Sequence, residues 1–193
     1  MASVLRIIIL IIFAGFSLSL SGQAQQPTLP YYDWNACPGE GCTYGKWCTR
    51  RVLPVFDNYK NGRRQIAQLK PGDQVTAVTG VVITFRPGVI RFDRDYPEQG
   101  FKRGDTILTY AYRGEGTSAV WFKNKYLPDF DIAFTKWPDG SGCGGNSCPA
   151  NYLDLGQKAW WAKVRLASGL LGWIDMDHAQ LDGTCAFAGR QTK

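Results

Sequence analysis

The chain has 193 residues, 45% of them hydrophobic, with a formal net charge of +6 and a single histidine. That length allows one domain with a real core or two small ones. The basic residues come in pairs, such as Arg50-Arg51, Arg63-Arg64 and Lys102-Arg103; no basic run is long, which argues against nucleic acid and for weak attraction to anionic polymers.

Residues 1–24 read as an export signal. Arg6 is their only charge, an apolar run follows from Ile7 to Leu20, and Gly22-Gln23-Ala24 offers small residues before a cut. The run is shorter than the about 20 residues a membrane span needs. The working protein is therefore expected to be residues 25–193, exported to the periplasm or beyond, with no membrane span once the signal is removed.

Residues 25–49 form a Cys-rich lead-in, extended at first and carrying Tyr31, Tyr32 and Trp34. All six cysteines lie beyond the signal. In an exported chain an even count reads as disulfides. Cys37–Cys42 and Cys143–Cys148 share one spacing, with glycines between them that let the chain curl; Cys48 and Cys185 remain, and Cys48–Cys185 completes the preferred set among the 15 pairings that six cysteines permit. The competing reading of the two C-x4-C loops is a four-thiolate zinc knuckle, which suits a reducing compartment instead. The expectation is three disulfides, no metal and no cofactor.

From Val52 the strand signals are dense. Val52–Phe56 is apolar, Asp57–Arg64 is turn-rich, and Lys70-Pro71-Gly72-Asp73 makes a second turn. Gln74–Phe85 is rich in Val, Thr and Ile. Arg86-Pro87-Gly88-Val89 fits a type II turn. The charged stretch Asp93–Gly104 is expected to join two modules, 50–103 and 104–185, with 186–193 as a tail. Gly72-Asp73 and Gly104-Asp105 each open a β-prone segment, hinting at a degenerate repeat. Strands are expected at 105–112 and 119–122, and an irregular insertion at 127–158. Short strands with frequent turn signals indicate an all-β barrel or sandwich.

The C-terminal hairpin joins Ala159–Leu166 to Leu170–Met176. A two-residue Ser168-Gly169 loop would pair Val164 with Trp173 and Leu166 with Leu171. Alternation then puts Trp160, Val164, Leu166, Leu171 and Trp173 on a core face, and Trp161, Lys163 and Arg165 on the other. A one-residue slip would reverse the faces on one strand.

Trp161-Ala-Lys-Val164, the Ser168-Gly169 turn and Gly172-Trp173-Ile174 make this hairpin resemble the last hairpin of bacterial SH3-like (SH3b) domains. Val52–Asp57 with Lys70-Pro-Gly-Asp-Gln-Val75 is similar to the opening of a second such unit. The resemblance also extends to exported bacterial proteins of uncharacterised function that pair a Cys-rich start with a Gly-Glu-Gly turn and a Trp-Trp strand. It implies one or two small SH3-like barrels, with a disulfide-stapled N-terminal collar, and a binding role toward cell-wall peptide or glycan. It supplies no catalytic residues.

Little in the chain suggests catalysis. His178 is the only conventional base for a serine or thiol hydrolase, and no Gly-x-Ser-x-Gly elbow is present. Asp175, Asp177 and Asp182 fail the EF-hand spacing. Glu115 with Asp129 or Asp131 could form a glycosidase pair only at the right separation. Seven tryptophans remain as the main signal. The reading is a non-enzymatic binding module that uses Trp161, Lys163 and Arg165, with Trp161 otherwise covered by a neighbouring module. The alternatives are an inhibitor or interaction module acting on an exported enzyme through the loops at 37–42 and 143–148, and, last, a wall hydrolase.

Overall fold

The computed structural model of the protein describes residues 25–38, 41–143 and 148–179. The expected export signal, Cys185 and the tail lie outside the described residues. The architecture is all-β, as the turn and strand signals indicated, and consists of two sheets.

The first sheet contains β1 (Tyr31–Trp34), β2 (Gly45–Cys48), β3 (Leu53–Phe56), β4 (Gln65–Leu69), β5 (Gln74–Arg86), β12 (Gln157–Arg165) and β13 (Leu171–Asp175). Its order is β1-β5-β12-β13-β3-β4, with β2 beside the start of β5. The second holds β6 (Gly88–Phe92), β7 (Thr106–Gly114), β8 (Thr117–Phe122), β9 (Lys125–Asp131), β10 (Thr135–Lys136) and β11 (Ala150–Asp154), in the order β10-β11-β6-β7-β8-β9. A single helical turn, α1 (Met176–Ala179), follows β13. No helix among the described residues is long and apolar enough to cross a membrane.

The first sheet curls as a half-barrel around Trp47, Val55, Leu69, Trp160, Val164 and Ile174. The second encloses Ile90, Phe92, Phe101, Ile107, Ile132 and Tyr152. Burying apolar faces of this size is the main driving force for the fold, at roughly 25 cal/mol per Å².

The expected division at 103/104 does not correspond to the sheets. The first sheet is built from both ends of the described chain, 31–86 and 157–175, and the second lies between them as 88–154. The cause is the expected turn at 86–89, which is not a turn. β5 runs on into β6, and β11 into β12, so two paired strands pass together from sheet to sheet. Arg86 pairs with Gln157, and Val89 with Asp154. The Arg86 guanidinium also forms an ion pair with the Asp154 carboxylate. Space at this crossing is minimal: a Cβ on Gly88 would lie 2.5 Å from Thr109 Oγ1, and Gly156 (φ +80°) would bring one to 2.4 Å from the Arg86 carbonyl. Only glycine fits both the left-handed backbone and that approach.

Two further expectations change. Asp93–Gly104 joins no modules; it is the β6–β7 loop, folded back so that Phe101 stacks on Phe92 with ring centroids 4.2 Å apart. Residues 127–158 are not irregular throughout, because β9, β10, β11 and the start of β12 run through them.

The Gly-Asp echo is structural. In Lys70–Asp73 and Lys102–Asp105 alike, the Asp N–H donates to the Lys carbonyl at 3.0 Å. The Asp carboxylate in turn accepts the Lys N–H, at 2.7 and 3.0 Å. The two turns launch β5 and β7 in the same way.

Candidate functional site

The β12–β13 hairpin decides which rings reach solvent. Its loop has three residues, not two. Leu166 N–H donates to the Leu170 carbonyl and Gly169 N–H to the Leu166 carbonyl, both at 2.9 Å. Gly169 adopts φ +85°, giving a type I turn closed by a left-handed residue. The register therefore slips by one from expectation: Lys163 faces Trp173, and Val164 faces Gly172. Trp173 moves to the face of Trp161, Ile174 takes its place in the half-barrel core, and Leu171 is exposed.

Trp161 does share the outer face with Lys163 and Arg165, but it is not an open ring. It is 4% exposed. Phe56 meets it edge-on at 5.9 Å, and the Arg63 guanidinium lies over it at 4.7 Å. Phe56, the last residue of β3, and Arg63, in the loop 57–64 that follows it, supply these groups. Asp57 organises that loop, accepting the Arg64 N–H at 2.9 Å and the Asn58 side-chain amide at 2.7 Å. These bonds favour the ionised form and hold the Asp57 carboxyl below its ordinary range. Lys163 is half-buried, with its amine 5.8 Å from the Trp173 ring, and Arg165 is exposed.

The uncovered rings lie at the edge of the same face. Strand alternation on β1 turns Tyr32 and Trp34 outward, opposite Ile83 and Val81 of β5. Trp34 is 52% exposed, Phe85 47% and Tyr32 40%. Tyr32 and Trp34 are nearly parallel, 13° between planes with centroids 6.1 Å apart, and Trp34 rests edge-on against Tyr59 at 5.7 Å. Between β1 and the 57–64 loop runs a groove of about 370 Å³, lined by Pro30, Tyr32, Tyr59, Lys60, Asn61, Ile83 and Phe85. Among the described residues, no carboxylate lines it. Sequence reasoning treated Tyr31-Tyr32-Asp33-Trp34 as a lead-in. The signal available was its alternation, which sends two rings one way and a charge the other.

The inward side of β1 faces the second sheet. Tyr31 and Tyr126 share a hydroxyl–hydroxyl bond of 2.7 Å, and Arg113 pairs with Asp33 at 2.9 Å and Asp129 at 3.6 Å. Asp33 is buried, and burial raises its carboxyl above the ordinary range while Arg113 opposes the rise. Asp129 is thus engaged with Arg113, and Asp131 accepts the Ala133 N–H at 2.8 Å. Asp129 and Asp131, the two alternative partners of Glu115 in the conceivable glycosidase pairs, are each engaged in such a contact. His178 lies in α1.

Cys37–Cys42 and Cys143–Cys148 are disulfides, and Cys48 is also disulfide-bonded. The partner expected for it, Cys185, lies outside the described residues. Oxidation removes the thiolates a zinc knuckle would need. Among the described residues, no three His, Cys, Asp or Glu side chains gather as a metal site.

Comparison of the chain with family models, curated proteins and solved structures finds no match. Nothing in these comparisons identifies an SH3b domain.

Proposed function

We propose that the protein is an exported, non-enzymatic binding module that holds cell-wall polymer, glycan or its attached peptide, on the outer face of its first sheet. The observation that carries this is the pair of exposed, near-parallel rings, Tyr32 and Trp34, beside a groove lined in part by Lys60. Flat ring faces offer apolar area at low conformational cost, and contiguous exposed apolar patches mark interaction sites. A groove with a lysine and no lining carboxylate favours anionic groups. The disulfides fit an oxidising compartment.

Sedimentation with purified cell-wall sacculi tests the reading on protein recovered from the exported fraction, whose N-terminus is expected near Gln25. Trp34→Ala should lose about 1–3 kcal/mol of binding, the scale of an interface anchor, with little change in melting temperature. Equal retention of wild type and variant would remove this site. Retention only by other exported proteins would assign the inhibitor or interaction reading instead.

A further inference from the structure

β1 has two jobs on alternate residues. Its outward side chains, Tyr32 and Trp34, are the ring platform. Its inward side chains, Tyr31 and Asp33, are the ties to the second sheet. The strand is only four residues long and lies at the end of the sheet order, so its backbone pairs with β5 alone. Short edge strands held on one side open readily. Outside β5, the platform leans on Tyr59.

We infer that Arg113, on β7 of the second sheet, is a positioning residue for the ring platform of the first: by gripping Asp33 it fixes β1, and so fixes where Tyr32 and Trp34 stand. The geometry is specific. The Arg113 Nη2 contact with Asp33 is 2.9 Å, the Asp33 carboxylate is 6% exposed as a residue, and Arg113 Nε is itself steered by Asp129 at 3.6 Å. A buried carboxylate has no water to replace that partner. Tyr126 of β9 adds a second tie through Tyr31, whose ring also packs edge-on against Tyr110 at 5.3 Å. Arg113 does not line the groove, so its effect on binding is indirect. The inference rests on the ring platform being the ligand site; the loosening of β1 does not.

Amide hydrogen exchange by mass spectrometry separates the two. In Arg113→Gln, amides of the peptide spanning 27–36 should exchange about tenfold faster or more, the scale of losing a hydrogen bond to a charged group. Amides of β12 and β13 should keep their wild-type rates. Fluorine NMR of fluorotryptophan-labelled protein should show the Trp34 resonance shifted or broadened. Affinity for sacculi should fall severalfold, although every groove residue is intact. Arg113→Lys, which can still reach one Asp33 oxygen, should restore part of both effects. Tyr126→Phe, a milder change that preserves packing, should speed β1 exchange by a smaller factor, and it serves if Arg113→Gln does not fold. Unchanged β1 exchange, or exchange raised equally across both sheets, would overturn the inference. Loosened β1 with unchanged sacculus binding in both Arg113→Gln and Trp34→Ala would keep the tie and discard the proposed ligand site.

Discussion

Trp160 and Trp161 are neighbours on β12, point to opposite faces, and are both buried, at 7% and 4% exposure. Each should therefore cost about 3–5 kcal/mol when cut to Ala, because each leaves a cavity. Urea melts of the two variants should move together, while Trp34→Ala should barely move. A small loss at Trp161 alone would mean that Arg63 and Phe56 do not cover it in solution. Lys158 carries a different signature. Burial pulls its amine down to about 8, whereas the unfolded chain should titrate near about 10.4. Folding thus disfavours its charged form. Below pH 8 both states are protonated and the full cost of burial applies. Between about pH 8 and 10.4 the unfolded state binds more protons, so stability rises with pH in that window. Lys158→Met should be more stable than wild type at pH 7, by about 1–3 kcal/mol. The gap should close as pH rises toward 10. A gap that stays constant from pH 7 to 10.5 would show that Lys158 is solvated.

The crossing strands are the decisive element. β5–β6 and β11–β12 carry the sheets into one another, and Gly156 is the point where one chain passes over the other. Gly156→Ala meets both a left-handed backbone and the Arg86 carbonyl, so it should cost about 2 kcal/mol or more. The loss should appear in thermal melts, with faster amide exchange centred on residues 86–89 and 154–158. A neutral Gly156→Ala would mean that the crossing relaxes easily. The hairpin β12–β13 makes the opposite point. One left-handed residue in its turn, Gly169, moves Trp173 from the half-barrel core to the outer face. Period-2 alternation makes any one-residue slip a complete reversal.

At the scale of the molecule, the first sheet needs both ends of the described chain. β5 pairs with β12, and β3 with β13. A fragment ending at residue 103 keeps β1 to β6 but lacks those partners. It should stay largely unfolded by circular dichroism, whereas residues 25–193 should fold. An independently folded 25–103 fragment would restore the sequential division into two units. The insertion of the second sheet also brings Arg113 and Tyr126, far from β1 in sequence, against its inner face.

Local signals determined the class of this protein. Val- and Thr-rich runs bounded by Pro and Gly gave the strands, two matched Lys-x-Gly-Asp turns gave the launch points of β5 and β7, and equal cysteine spacing gave two short disulfides. These depend on neighbours within a few residues, which a sequence displays directly. Tertiary structure alone decided the rest. Whether Trp161 is open depends on Arg63 and Phe56, about a hundred residues away, and whether Pro87-Gly88 turns or continues depends on β11 and β12 pairing alongside. Exposure of the Tyr32–Trp34 platform follows likewise from β1 finding β5 on one edge and Arg113 beneath it. Burial is a property of what arrives from elsewhere in the chain, and strand alternation says only which side chains share a face, not which face is covered.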